Sequence, residues 1–313
     1  PVVGVCAIGV EFINRHIEAI GSMSDIMFFD PTMIVGILLA PDLGGYFISE
    51  AITDSPDMLI MNGVVLGTLL GQAICFQLPV FLAAVDKVHR PVMLKGFLVG
   101  ITMIPAGMVA AELILRMNVA DFLKQFVPIL VLCLLVALGL YKIPDAMVKG
   151  FMVVGRVIQI ATNLMFAWAV LGVFIPQMSY ADVSSVEGAL MIIFKSAIII
   201  AGALVMSELI LKVFRRQIES VAKKLGTNEV SVVCMLMNCA TSLAILPLFD
   251  RMDDKGRKLN CAFSISGAYV IGGSMAFLSA VSSGYVVLIF FVCKLVSGIL
   301  SLYIMHRMES KNG

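Results

Sequence analysis

Apolar residues fall in blocks of about twenty along the chain, parted by short polar loops, and each block can span ~30 Å of hydrocarbon as a helix. The pattern predicts membrane helices over 1–20, 58–85, 92–115, 121–141, 148–175, 189–211, 258–282 and 284–306. Two further apolar segments, 31–50 and 228–249, are interrupted by small or polar residues. In the first, Leu39-Ala-Pro-Asp-Leu-Gly-Gly45 breaks the run: Pro41 cannot continue a helix, and Gly44-Gly45 let the backbone turn. That segment is expected to enter the membrane and turn back.

Loop charges decide the side from which each broken segment enters. Lys87, Arg90 and Lys95 place the loop at 86–95 in the cytoplasm, as do Lys142 with Lys149 and the five basic residues of 212–224. The loop at 176–188 has no Lys or Arg and reads as external. Segment 228–249 is followed by Asp250-Arg-Met-Asp-Asp-Lys-Gly-Arg-Lys258, which stays cytoplasmic only if the segment leaves on the side it entered. Its tip is then near Asn238-Cys-Ala-Thr-Ser242. The flanks of 31–50 carry Asp25, Asp30, Asp54 and Asp57 without a basic residue, so that hairpin dips in from outside.

Opposed hairpins suggest an inverted repeat, with halves at about 1–115 and 189–306 linked by the helices of 121–175, the common build of secondary transporters. Leu78-Pro-Val-Phe81 and Leu246-Pro-Leu-Phe249, each before a charged turn, are a faint local echo of it. The expectation is an all-α polytopic membrane protein, one membrane domain over 1–313, with about eight transmembrane helices plus two re-entrant hairpins.

Composition agrees. Hydrophobic residues make up 60 % of the 313 and charged ones 14 %, against about 25 % charged in soluble domains. The start at Pro1 and the short first apolar run read as an incomplete or processed N-terminus. None of the seven cysteines forms a Cys-x-x-Cys pair, and the three histidines sit in or beside loops. Neither a metal centre nor a catalytic dyad is therefore expected, and no cofactor. No Walker-type loop is present to bind a nucleotide phosphate.

Asp42 carries the sharpest chemistry. An ionisable side chain at membrane depth is costly and by default marks a ligand or ion path. Asp42 faces a cationic solute in this reading, with Tyr46 and Phe47 near enough for cation–π attraction. The competing role is capping of the hairpin's second arm. Asn238, Thr241 and Ser242 at the other tip either hold a hydroxyl or ammonium group or satisfy the hairpin's own backbone. Gln72 and Gln77 lie deep in 58–85, where uncharged polar side chains bridge helices or line a site. Gly63-x3-Gly67-x3-Gly71 and Gly96-x3-Gly100 are small-residue stripes for close helix packing.

Pro31-Thr-Met-Ile-Val-Gly-Ile-Leu-Leu-Ala-Pro-Asp-Leu-Gly-Gly-Tyr-Phe47 resembles a segment of the EutH-type ethanolamine permeases. Gly100-Ile-Thr-Met-Ile-Pro-Ala-Gly107, the stretch from Leu135 through Phe151, and Met252-Asp-Asp-Lys-Gly-Arg-Lys-Leu-Asn-Cys-Ala-Phe263 are similar to the same family, in its order. The resemblance covers most of the chain, and the family is normally longer at the N-terminus. Asp42, Gly44, Gly45, Asn260 and Phe263 match its pattern. Two places depart from it: Thr241-Ser-Leu-Ala244, where an Asn-Asn-Ile-Pro-like tip is expected, and Gly272-Gly-Ser274, where Gly-Asp-His is expected.

The resemblance implies a carrier of ethanolamine, not an enzyme, in the bacterial inner membrane. Substrate would bind at Asp42, Gly44, Gly45, Tyr46, Gln72, Asn238, Thr241 and Ser242. Its partners would be that small cation and membrane lipid, with no nucleic acid, and a homo-oligomer is left open. Another small polar solute is the alternative cargo. A channel would need a continuous polar lining, against which the scarcity of polar residues in the helices argues; an intramembrane enzyme would need a second catalytic group at the depth of Asp42, and no carboxylate or histidine is placed there.

Overall fold

The computed structural model describes residues 4–16, 27–182, 186–191 and 222–312, with 194, 198, 213 and 220 between them. The described residues are helical, with no strand among them. Helix α1 covers 4–15, α2 Thr32–Leu38, α3 Gly45–Ile52, α4 Pro56–Ala84, α5 Arg90–Leu115, α6 Val119–Lys142 and α7 Pro144–Phe174. After these come α8 Glu229–Ala240, α9 Asp254–Ser266, α10 Gly273–Val281 and α11 Gly284–Asn312. Five of them, α4, α5, α6, α7 and α11, are long and apolar enough to cross a membrane, as a multi-pass protein requires. They answer to the expected spans at 58–85, 92–115, 121–141, 148–175 and 284–306. Of the expected helix at 1–20 only 4–16 are described, and 189–211 lies almost wholly outside the described residues.

Helix α4 is the centre of the molecule. Its most apolar stretch is 89 % buried, against 17 % for α7, whose side chains face outward. Most of α4 is π-helical, over Leu59–Gly71 and Ala73–Gln77, the wide i→i+5 form. Its glycine stripe is the floor on which the first broken segment lies. Ser49 packs on Gly63, Pro41 on Gly67, and the carbonyls of Gly36 and Leu39 on Gly71. Thr32 meets the same level from the other arm, accepting a 3.0 Å hydrogen bond from Asn62 Nδ2. Helix α2 thus runs along α4 toward Gly71, and α3 runs back toward Gly63.

The turn between those arms follows from its residues. Ala40, ahead of a proline, is extended, with ψ 150°. Pro41–Leu43 make one 3-10 turn, and Gly44 takes φ 100°, a left-handed value that favours glycine. Val5 of α1 fills the place where a Gly44 side chain would stand.

The second broken segment pairs α8 with a 3-10 helix over Ser242–Arg251, joined at Thr241 in extended conformation. Both arms lie along α9. Asn260 Nδ2 donates to the Ser231 carbonyl (2.8 Å), and Arg257 Nε to the Phe249 carbonyl (2.9 Å). At the base, Asn228 Nδ2 donates to the Arg251 carbonyl (2.9 Å), tying the two feet together. Asp253 Oδ1 accepts from the Thr227 and Ser231 hydroxyls and from the Asn228 N–H.

The single helix expected over 258–282 is instead two, α9 and α10, parted at 267–272. The last carbonyls of α8 have no partner within their own helix, and the gap supplies it. Tyr269 N–H donates to the Asn238 carbonyl (3.2 Å) and Ile271 N–H to the Cys239 carbonyl (3.0 Å). Tyr269 adopts φ 64° to do so, and Gly272 lies against the Ala240 backbone, too close for a side chain. Hydropathy averaged over this stretch cannot register a break made for a neighbour's backbone.

The second glycine stripe closes the bundle. A Cβ on Gly96 would sit 2.5 Å from the Lys258 carbonyl oxygen, and one on Gly100 2.6 Å from that of Ala262, so α5 and α9 pack backbone to backbone.

A Cβ on Gly71 would lie 2.5 Å from two carbonyl oxygens, whereas Gly150 on α7 has nothing within 4 Å. Gly71→Ala should cost about 1–3 kcal/mol in thermal unfolding of the purified protein, and Gly150→Ala should gain up to about 1 kcal/mol. At the base of the second broken segment, burial pushes the Asp253 carboxyl up, but hydrogen bonds from Thr227, Ser231, Asn228 and Gly256 outweigh it and hold it below the usual range. Its stabilising effect is then complete above about pH 4, the unfolded value, and lost as pH falls through the lower folded value. Unfolding temperature measured over that interval should fall in the wild type, and less steeply in Asp253→Asn, which starts lower at pH 7.

Candidate functional site

The break at Pro41–Gly44 meets the break between α9 and α10 beside the middle of α4. Asp42 Oδ2 accepts a long 3.4 Å hydrogen bond from Ser274 Oγ, at the start of α10. The first turn of a helix carries partial positive charge, which suits a carboxylate there. Ser274 Oγ accepts in turn from Gln72 Nε2 at 3.1 Å. Gln72 Oε1 accepts from Lys294 Nζ at 3.4 Å, and the same ammonium donates to the Thr68 carbonyl at 2.8 Å. An ammonium is thus linked to a carboxylate through one amide and one hydroxyl, every bond donating toward Asp42. The other carboxylate oxygen, Asp42 Oδ1, is buried and accepts nothing among the described residues.

Lys294 was not legible as a site residue from the blocks of hydrophobicity, although a signal was there. It is the only charged residue between Gly284 and Met305, ten positions into an apolar helix, and it is fully buried. An intramembrane lysine of that kind is a functional candidate on its own. Ser274 and Thr68 carried no comparable signal.

The other expected residues have definite places. Gln72 bridges α4 to α10, as an uncharged polar group in a membrane helix does, and Gln77 bridges α4 to α9 by donating to the Ser264 carbonyl (2.7 Å). Gly44 and Gly45 shape the turn; the Gly45 N–H donates to the Ala40 carbonyl (3.1 Å). Tyr46 is buried, packed edge-on against Phe47 and Phe277. Asn238 is used inside the fold: its Nδ2 donates to the Asn260 carbonyl (3.1 Å) and Ser264 Oγ (2.8 Å). Ser242 Oγ and Tyr269 Oη share a hydrogen bond at 2.8 Å. Thr241 Oγ1 accepts from the Leu243 N–H (3.3 Å).

The two turns are joined through the α9–α10 break rather than to each other. Ser274 touches Asp42, while Tyr269 and Gly272 touch Ser242 and Ala240. Beside the first turn opens a cleft of 650 Å³ between α4 and α7, lined by Leu43, Cys75 and Phe76 and, across from them, Lys149, Arg156 and Gln159.

A polar layer centred on one open carboxylate oxygen, deep in an apolar bundle, can hold a small cation that also hydrogen-bonds. The family described as "Ethanolamine utilisation protein, EutH" matches residues 1–308. The chain belongs to the EutH family. Three curated relatives are named "Probable ethanolamine permease EutH". That of Listeria monocytogenes is 29 % identical over 90 % of this chain and 77 % of its own length. The Escherichia coli protein is 27 % identical over 86 % and 72 %, and the Salmonella typhimurium protein 26 % over 90 % and 75 %. No solved structure matches the chain significantly. The EutH family is one of permeases, not of enzymes.

Proposed function

We propose that this protein is a secondary carrier that moves ethanolamine, or a close small amino alcohol, across the bacterial inner membrane by alternating access. The observation that carries the reading is Asp42 Oδ1, a buried carboxylate oxygen that accepts nothing among the described residues. Ethanolamine at neutral pH is a primary ammonium with one hydroxyl. A desolvated ammonium needs a counter-charge, and a hydroxyl needs a neutral hydrogen-bonding partner. Asp42 serves the first need. Ser274 and Gln72 beside it, or the hydroxyl of Thr241 on the second turn, serve the second. Gly44 and Gly45 hold the turn open, and Tyr46 walls it.

In this reading the two broken segments are re-entrant hairpins that enter from opposite faces, in an inverted repeat. One is α2 with α3, and the other is α8 with the 3-10 helix that follows it. Their arms run out and back along one helix each, and the loop charges agree with the two sides. Substrate sits near the tips, at the α9–α10 break. The names of the relatives support ethanolamine as cargo. Neutral Gly273 and Ser274, where the family's pattern is expected to carry Asp-His, favour testing other small polar solutes beside it.

Cells expressing the protein should take up labelled ethanolamine at low external concentration, and Asp42→Asn should abolish that uptake. Losing the counter-charge should weaken binding by about 2–5 kcal/mol, or upward of about thirtyfold. The same ligand should raise the unfolding temperature of the wild type but not of Asp42→Asn, with choline and serine run alongside. Uptake equal to wild type in Asp42→Asn would remove that residue from the site.

A further inference from the structure

Lys294 presents to the site the same chemical group as the proposed substrate, a primary ammonium on a flexible stem. We propose that Asp42 and Lys294 form a proton-exchange pair: binding of a primary ammonium at Asp42 expels one proton from the pair, so the carrier swaps a proton for its solute. The inference rests on the reading of Asp42 as the substrate's counter-charge.

Three features of the site support it. First, the pair without substrate is neutral as a unit, one carboxylate and one ammonium joined through Gln72 and Ser274. A second ammonium at Asp42 Oδ1 would leave one positive charge uncompensated inside the apolar bundle. Buried groups escape that cost by neutralising. Second, Lys294 Nζ has two acceptors among the described residues, the Thr68 carbonyl and Gln72 Oε1. An ammonium has three N–H donors and a neutral amine two, so both N–H groups of the neutral form have acceptors where they stand. Third, Asp42 has one oxygen held by Ser274 and one open, so the substrate can arrive without the relay being broken.

Among the described residues, the other ionisable groups that sense the pair are Cys75 and Tyr269 near Asp42 and Cys293 beside Lys294. Thiols and phenols are ordinarily uncharged near pH 7, which leaves Lys294 as the group that yields.

The step balances simply. The substrate R–NH3+ takes its place on the carboxylate. One N–H bond of Lys294–NH3+ breaks, its electron pair stays on Nζ, and the proton leaves to the water phase that delivered the substrate. When the substrate departs on the other side, a proton from that side restores Lys294–NH3+. No heavy-atom bond changes.

Calorimetric titration of the purified full chain with ethanolamine, in two buffers of different ionisation enthalpy, counts the protons. Roughly one should be released per amine bound, and the association constant should rise about tenfold per pH unit between pH 6 and 8. Two variants separate a proton donor from a merely structural cation. Guanidinium cannot give up its proton, so Lys294→Arg should bind at least about tenfold more weakly than Lys294→Met; a structural cation predicts the reverse order. Unfolding temperatures show whether each variant folds, and where Lys294→Arg does not, the wild-type proton count decides. A count near zero with normal binding overturns this inference alone. Absence of any amine binding by the wild type overturns the transport reading and this inference with it.

Discussion

Backbone polar groups that leave a helix inside an apolar bundle must find partners within the protein, since hydrocarbon offers none. That constraint shapes this molecule more than any side-chain contact. The chain breaks at Leu39–Gly44, at Thr241 and at 267–272, and the breaks are stacked so that they satisfy one another. Carbonyls left open at the end of α8 take N–H groups from Tyr269 and Ile271. The first turn closes on itself, with the Leu43 and Gly45 N–H groups both donating to the Ala40 carbonyl. Its arms lie directly on a helix stripped of side chains at Gly63, Gly67 and Gly71. Non-helical backbone is tolerated at this depth because it is buried in protein, and burial is possible because glycine lets main chains approach.

The same arrangement concentrates polarity. Along α4, Asn62 bonds to Thr32 and Gln125, Gln72 to Ser274 and Lys294, and Gln77 to the Ser264 carbonyl. Between them stand Leu66, Leu69 and Leu70, with Leu78 just beyond, all fully enclosed. Polar side chains therefore occur as separate layers, not as a continuous stripe. Of these layers the middle one joins a carboxylate to a buried ammonium, and there a carboxylate oxygen is left open. A carboxylate and an ammonium so placed are costly to bury, so their presence argues for a use beyond holding helices together.

How much of this was legible in the sequence depends on whether the cause is local. Pro41, Gly44 and Gly45 act on their own backbone, and the turn with Asp42 in it stands where those residues put it. The length and apolarity of α4, α5, α6, α7 and α11 are likewise properties of single segments. The break in α9–α10 is not: Gly267, Gly272 and Gly273 permit it, but the reason for it lies in the carbonyls of α8. The pairing of Gln72 with Ser274, 202 residues apart, is invisible to any periodicity. Lys294 is hidden in the hydropathy pattern for another reason. An apolar average absorbs a single charge, whereas the physical weight of that charge grows with the apolarity around it.

Those separate layers bear on the choice between a channel and a carrier. A pore would require water or polar groups to follow the solute from one face to the other, and along α4 the enclosed leucines separate one polar layer from the next. In the proposed reading, a solute bound at Asp42 would reach both faces only through movement of the elements around it. The candidates are short and jointed: α2 and α3 around the first turn, the 3-10 helix after Thr241, and α10 beyond the break. Each is tied to the site at one end, by Asp42, by Ser242 through Tyr269 and by Ser274. Charge compensation at the middle layer then has a mechanical consequence. In the proposed reading, a cation at Asp42 would set how firmly Ser274 and the start of α10 are held against the first turn. An empty, uncompensated carboxylate would disfavour a dry, closed arrangement of those elements, whereas a compensated one permits it. Movement of the jointed segments and occupancy of the site are therefore the same electrostatic question.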